Sequence, residues 1–304
     1  VSAFAALPFI FSHLVTSYTD AFFEAISGLT TTGSTVIEHL DSMPPGILLW
    51  RALLQWLGGF GIIGMAIMIL PYLRVGGMQL FQTESSDRSD RVMPRPGQTV
   101  AAIITVYVGL TAVCALAYDL AGMGSFDAIT HAFATLSTGG YSTHDASFSY
   151  FDSFTLQWIG VVFMAAGATP FLLYVRMIKG EPLALLRDSQ TRWFIFVLAG
   201  TTLAITAWRM VYHEAPLHQA LTEVAFNITS IVTTTGFAST DYNVWGAFAV
   251  VSFLALTLVG GCTGSTSGAI KIFRIQIMVI TAVRLLKGLV APRAVLPLRY
   301  NGKS

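Results

Sequence analysis

Apolar positions along this 304-residue chain fall into runs of two lengths. Long runs at Ile47–Leu73, Val100–Ala121, Phe154–Met177 and Trp193–Tyr212 reach the roughly 20 residues a helix needs to cross a bilayer. Shorter, mixed runs lie between them at Asp20–Leu29, Ser125–Leu136 and Pro216–Ile231. A ten-residue helix covers roughly 15 Å, half the hydrocarbon core, so these runs predict helices that enter the membrane and stop midway. Val1–Val15 is apolar but short for a span, and predicts the outer end of a truncated helix in a fragment of a longer protein. Pro170 predicts a kink inside its span. Val244–Val259 begins a further span that a Gly-rich stretch interrupts, and Lys271–Leu289 resumes a helical pattern bearing Arg and Lys.

Each short run ends in a Thr/Gly stretch: Thr30–Thr35, Ser137–Thr143 and Thr233–Thr240. A carboxylate stands thirteen residues before a glycine in each, as Asp20 before Gly33, Asp127 before Gly140 and Glu223 before Gly236. The three glycines are 107 and 96 residues apart, the mark of an internal repeat. The order helix, half-helix plus loop, helix therefore recurs three times in an all-α membrane protein. The expected divisions are a first repeat at 1–81, a cytoplasmic loop at 82–97, a second repeat at 98–178 and another cytoplasmic loop at 179–191. A third repeat follows at 192–290, then a linker at 291–304.

Composition agrees with this. Hydrophobic residues make up 54% and charged residues 11%, against about 25% charged in soluble domains. The net charge of +1 says little, but the positions of the charges say more. Of the 17 basic residues, all but Arg51 and Arg209 fall on the side away from the half-helices. The positive-inside rule makes that side cytoplasmic, so the Thr/Gly loops dip in from outside. Cys114 and Cys262 form neither a disulfide framework nor a CxxC metal site. No P-loop, HExxH or Rossmann fingerprint occurs, and the basic loops lack the aromatic interleaving of a nucleic-acid binder. No nucleophile and base share one side of the membrane, so the pattern predicts no enzyme.

Irregular backbone at membrane depth persists only where it is buried in protein or lines a watery path. A Thr/Gly loop placed there can replace an ion's hydration shell with carbonyl and hydroxyl oxygens. The half-helix before it turns its partly negative C-terminal end toward the same point. Without a fixed carboxylate, such ligands suit a large monovalent cation rather than Ca²⁺ or Mg²⁺. The expected filter residues are Thr31, Thr32, Gly33, Thr138, Gly139, Gly140, Thr234, Thr235 and Gly236. Asp20, Asp127 and Glu223 suit either a cation-concentrating ring at the outer mouth or first-turn stabilisation of the half-helices. The interruption Gly260, Gly261, Cys262, Thr263, Gly264, Ser265, Thr266, Ser267 and Gly268 reads as either a flexible kink or a movable plug beneath the filter. The plug is favoured because the other two repeats show no equivalent break. His131, placed where Glu24 stands in the first half-helix, reads as a packed polar residue. His144 and Asp145 read as hydrogen bonders at the outer mouth.

The segments Ala21–Gly33, Phe126–Asp145 and Thr233–Phe237, with the Gly260–Gly268 break, resemble the pore loops and intramembrane gating loop of the Trk/Ktr/HKT potassium transporter superfamily. Within it, they resemble the bacterial TrkH/TrkG-type membrane subunit. Gln82–Ser89 and Pro292–Val295 are similar to its cytoplasmic segments. The resemblance implies helix–pore-loop–helix repeats around a pseudo-fourfold pore, with three of the four repeats present here. It implies K⁺ uptake across the bacterial cytoplasmic (inner) membrane, gated by the intramembrane loop, with no cofactor beyond the transported K⁺. The alternative within the same fold is poorly selective Na⁺/K⁺ transport or cation symport. Implied partners are membrane lipid, a second copy in a homodimer and a cytoplasmic ring of nucleotide-binding regulatory subunits. No nucleic acid is implied. Gly33, where some plant relatives with Na⁺ preference have serine, favours K⁺.

Overall fold

The computed structural model describes residues 1–12, 17–68 and 96–290. Most of the expected loop at 82–97 and all of the linker at 291–304 lie outside the described residues. Among the described residues every regular element is helical, apart from one isolated bridge between Val259 and Ile270.

The first repeat comprises α1 (Ser2–Ala5), α2 (Leu7–Phe11), α3 (Tyr18–Leu29) and α4 (Pro45–Met68). Ser17 caps α3 by accepting the Thr19 N–H, and Pro45 opens α4 where a missing N–H is harmless. The second repeat has α5 (Pro96–Leu120), α6 (Ser125–Leu136), α7 (Phe154–Gly167) and α8 (Phe171–Ile178). After the single turn α9 (Ala184–Arg187), the third has α10 (Ser189–His213), α11 (Leu217–Val232), α12 (Ala247–Leu256) and α13 (Ile272–Val290). Two helices, at Gly97–Leu120 and Ser189–Tyr212, are each long and apolar enough to cross a membrane. The half-helices α3, α6 and α11 have 12, 12 and 16 residues, or about 18 to 24 Å at 1.5 Å per residue.

One expectation is corrected. Phe154–Met177 is broken and not merely kinked: it forms two helices, α7 and α8, bent by 92°, which together are long and apolar enough to cross a membrane. Pro170 cannot continue α7, because its ring clashes with the preceding turn and it offers no N–H. The backbone groups released at this break are taken up by the Gly-rich loop of the third repeat. The Ala168 carbonyl accepts the Cys262 N–H, the Gly167 carbonyl accepts the Thr266 N–H, and the Phe171 N–H reaches the Gly264 carbonyl. The second repeat therefore does carry a break of its own, and it houses the longer one.

The second and third half-helices pack against their own repeat and against the inner helix of the repeat before, α6 on α4 and α11 on α7. That stepwise overlap winds the repeats around one centre. The joint between the second and third repeats is filled by Tyr118, Phe148, Met164, Phe226 and Phe237, all buried. The outer faces of α5 and α10 leave Val113, Leu116, Phe196 and Leu203 exposed, as helices facing lipid would.

Candidate functional site

All three half-helices end in the same way. Each closes with the paired bonds of a Schellman cap. In the first, Thr31 N–H reaches the Gly28 carbonyl at 3.0 Å and Thr32 N–H the Ser27 carbonyl at 2.9 Å. Thr138 and Gly139 repeat the pattern on Thr135 and Ala134, and Thr234 and Thr235 on Ile231 and Ser230. A Schellman cap needs a left-handed residue, usually glycine. Here it is threonine each time, with φ of 55° at Thr31, 52° at Thr138 and 58° at Thr234. A β-branched residue is a rare occupant of that region, at a cost of about 1–3 kcal/mol. Two residues later Gly33, Gly140 and Gly236 are left-handed again, at φ 77°, 76° and 89°. The backbone is thus left-handed twice in each loop, at six of the nine residues singled out in the sequence.

The loops also interlock. A Cβ on Gly33 would fall well under 3.0 Å from the Gly139 carbonyl oxygen, and one on Gly140 equally close to the Thr235 carbonyl oxygen. Gly33 and Gly140 therefore each lie against the next loop's carbonyl, which sets the first loop beside the second and the second beside the third. At Gly236 an added Cβ meets nothing within 4 Å.

Nine residues before each of these glycines stands a buried polar side chain that ties down the chain leaving the loop. Glu24 accepts from the Thr35 hydroxyl at 3.0 Å and from the Val36 N–H at 3.1 Å. His131 Nε2 pairs with the Ser142 hydroxyl at 2.9 Å, and Asn227 donates to the Ser239 hydroxyl at 2.9 Å. His131 is indeed a packed polar residue, surrounded by Phe148, Phe151 and Phe237.

The two basic residues that broke the charge sort are accounted for. Arg51 forms a 2.8 Å ion pair with Glu24, the two side chains being 1% and 0% exposed. It also donates to the Ser142 carbonyl and the Thr35 hydroxyl, and lies 4.2 Å over the Tyr141 ring. Arg209 pairs with Glu223 at 2.6 Å and lies 4.0 Å over the Trp245 ring. Each arginine is thus buried beside a half-helix carboxylate that neutralises it.

The three outer carboxylates are not alike. Asp20 is exposed in the first turn of α3. Asp127 accepts from the Thr143 hydroxyl at 2.7 Å, and Glu223 is buried in its ion pair. Above Asp127, His144 stacks on Tyr150 and bridges Asp127 to Asp41, while Asp145 accepts the Leu40 N–H at 3.0 Å. These contacts fasten the outer segment of the first repeat to that of the second.

The hydrogen bond from His144 holds the Asp41 carboxyl below its ordinary value of 3.8, against an opposing effect of burial. A carboxyl depressed in the folded state adds stability above its unfolded pKa, and that stability fades as pH falls through the folded one. Asp41→Asn is therefore expected to lower the melting temperature slightly at pH 5, and by nothing in acid below the depressed value. Because Asp41 is half exposed, the effect stays under about 1 kcal/mol. A difference that persisted undiminished in that acid would contradict this assignment.

Beneath the loops lies the Gly260–Gly268 interruption. Its neck is closed by Gly260 N–H to the Ile270 carbonyl at 2.9 Å and Ile270 N–H to the Leu258 carbonyl at 3.1 Å. Ser265, Thr266 and Ser267 are buried. The Thr266 hydroxyl lies 3.0 Å from both the Leu136 and Gly167 carbonyls, and Gly268 N–H donates to the Thr234 hydroxyl at 2.7 Å. Gly261 N–H is taken by the Ser267 hydroxyl, Thr263 N–H by Gln190, and the Ser267 carbonyl by Lys271. The segment is thus tethered to the end of α6, to the break after α7 and to the third loop. Among the described residues, no group of three or more His, Cys, Asp or Glu could hold a metal ion.

Half-helices closed by the same kind of cap, with neighbouring loops in contact beside a tethered Gly-rich segment, define an all-α membrane protein of helix–pore-loop–helix repeats. The chain belongs to the TrkH family: the family model described as "Cation transport protein" matches residues 3–304. It is 48% identical over 304 residues to the Trk system potassium uptake protein TrkI of Halomonas elongata, covering 100% of this chain and 62% of that protein. It is 42% identical over 294 residues to the Trk system potassium uptake protein TrkH of Vibrio parahaemolyticus, covering 95% of this chain and 61% of that one. The crystal structure of the potassium transporter TrkH from Vibrio parahaemolyticus superposes with a TM-score of 0.88 at 40% identity, over 100% of this chain and 63% of that chain. The chain therefore spans just over three fifths of the length of these relatives. The family is one of transporters, not enzymes.

Proposed function

We propose that the whole protein to which this chain belongs takes up K⁺ across the bacterial cytoplasmic membrane. The three loops are three sides of its selectivity filter, with ligands supplied by Thr31, Thr32, Gly33, Thr138, Gly139, Gly140, Thr234, Thr235 and Gly236. The observation that carries this reading is the close fit of two filter glycines, Gly33 and Gly140, against the next loop's carbonyl oxygen. Backbone oxygens fixed against one another in this way can fit one ion radius better than another. Half-helix C-terminal ends facing the axis add the negative potential a cation needs. Asp20 and Asp127 concentrate cations at the outer mouth, whereas Arg209 cancels Glu223. Working as a homodimer with a cytoplasmic ring of nucleotide-binding subunits belongs to the same proposal, as does any coupling to H⁺ or Na⁺.

The test is K⁺ against Na⁺ flux in liposomes for the full-length protein and its Gly33→Ser variant. The serine would strain a backbone at φ +77° and press on the Gly139 carbonyl. Discrimination should fall by roughly tenfold, the equivalent of ~1.4 kcal/mol. Equal ratios in the two proteins would remove the filter assignment, and a low ratio in both would favour non-selective Na⁺/K⁺ transport.

The Gly260–Gly268 segment is the gate in this proposal. Its tethers hold it closed, so loosening them should open the path. Thr266→Val removes the hydroxyl shared by Leu136 and Gly167 while preserving shape. Such a bond contributes about 1 kcal/mol, so K⁺ flux should rise about fivefold. Shortening the segment should raise it further. Unchanged or lower flux in a folded deletion would contradict a plug.

A further inference from the structure

The second pore loop lacks a device that the other two share. In the first loop the Thr30 and Thr32 hydroxyls pair at 2.8 Å, and in the third the Thr233 and Thr235 hydroxyls pair at 2.7 Å. The corresponding residues of the second loop are Ser137 and Gly139. Ser137 turns its hydroxyl to the Ala134 carbonyl at 3.2 Å, and Gly139 has nothing to offer in return.

That space is filled by a side chain from a different repeat. A Cβ on Gly139 would lie 2.5 to 2.8 Å from the three amide atoms of Gln55, on α4. Gln55 is fully buried. Its Nε2 donates to the Gly139 carbonyl at 2.6 Å, and its Oε1 accepts the Tyr141 N–H at 3.0 Å. One amide orientation satisfies both partners, because a carbonyl needs a donor and an N–H needs an acceptor. The two bonds bracket Gly140, the left-handed residue locked on the Thr235 carbonyl.

The third repeat provides an internal comparison. Gly58 of α4 abuts the Leu29 carbonyl and Gly167 of α7 abuts the Leu136 carbonyl, which brings the two helices into register. Three residues earlier α4 has Gln55 and α7 has Met164. The apolar residue thus precedes a loop with its own threonine pair, and the amide precedes the loop that lacks one.

We propose that Gln55 is a specificity-determining positioning residue: it replaces, from the preceding repeat, the threonine pair missing from the second loop, and fixes that loop's carbonyls for ion selection. This rests on reading the loops as a selectivity filter. Gln55 does not touch the ion; it acts through Gly139 and Tyr141.

The experiment uses the full-length protein in liposomes, with K⁺ against Na⁺ flux and the melting temperature measured in each salt. Gln55→Ala should reduce discrimination about tenfold and abolish the extra stabilisation K⁺ gives over Na⁺. Gln55→Ala/Gly139→Thr, which restores the arrangement of the other two loops, should recover most of both. Gln55→Met, the residue α7 has at the matching position, covers the case in which the alanine variant does not fold. It fills the space but offers neither the donor to Gly139 nor the acceptor for Tyr141, and should lose discrimination too. The inference is overturned if Gln55→Ala or Gln55→Met keeps the wild-type ratio, if the melting temperature falls equally in both salts, or if Gly139→Thr rescues nothing. Gly33→Ser measured alongside separates the two levels. If it too leaves the ratio unchanged, the filter reading fails; if it alone destroys the ratio, only the role of Gln55 does.

Discussion

Gly140→Ala in the full-length protein is expected to cut K⁺ uptake by at least about 30-fold, a loss of ~2 kcal/mol. Two costs meet at this residue. An L-side chain at φ +76° costs roughly 1–2 kcal/mol. The added methyl would also drive into the Thr235 carbonyl oxygen, and overpacking of this kind typically costs about 1–3 kcal/mol. The carbonyl cannot yield cheaply, since Thr235 N–H is bonded to Ser230 and its hydroxyl to Thr233. Gly109→Ala in α5 is the control, because a Cβ there meets nothing within 4 Å and φ is ordinary. It should leave uptake unchanged and stability equal or slightly higher. Uptake by Gly140→Ala within threefold of wild type would show that the loops tolerate movement a filter does not.

The repeat, the half-helix lengths and the residues of the three loops were legible in the sequence because each rests on local pattern. A ten-residue amphipathic run cannot span a bilayer, and a Thr-x-Gly stretch after it has few other uses at that depth. What could not be read was any partner across repeats. Gln55 lies in an apolar helix 84 residues from Gly139, and no periodicity pairs them. Arg51 and Arg209 looked like exceptions to the charge sort, when each is the counter-ion of a buried half-helix carboxylate. The break at Ala168–Pro170 was read as a kink because a lone proline often leaves a helix bent but continuous. Here the Gly-rich loop of the third repeat binds the freed backbone groups, so the chain can part completely. The shared position nine residues before each glycine was visible for Glu24 and His131. Asn227 completes the set only when the outgoing strand is seen bonded to it.

Arg51→Met should be the most damaging substitution outside the loops. It would leave the Glu24 carboxylate, 0% exposed, with only the Thr35 hydroxyl and the Val36 N–H as partners. Removing one member of a buried pair costs about 3–5 kcal/mol, because the other charge stays in a medium that cannot solvate it. Arg51 also holds the Ser142 carbonyl, so the loss would reach the second loop as well as the first. Since a folded protein has only ~5–15 kcal/mol to spare, the variant should appear at reduced yield with a markedly lower melting temperature. Glu24→Gln alone should also destabilise, because it leaves a buried guanidinium without its counter-charge. Combining Glu24→Gln with Arg51→Met removes both charges and keeps an acceptor for the Val36 N–H. The double variant should then be more stable than Arg51→Met alone, with a coupling of about 2 kcal/mol in the double-mutant cycle. If the two effects simply add, Arg51 is held by the Ser142 carbonyl and the Tyr141 ring rather than by Glu24. The buried arginine would then be a brace for the second loop, with the first half-helix contributing only a surface for it to lie against.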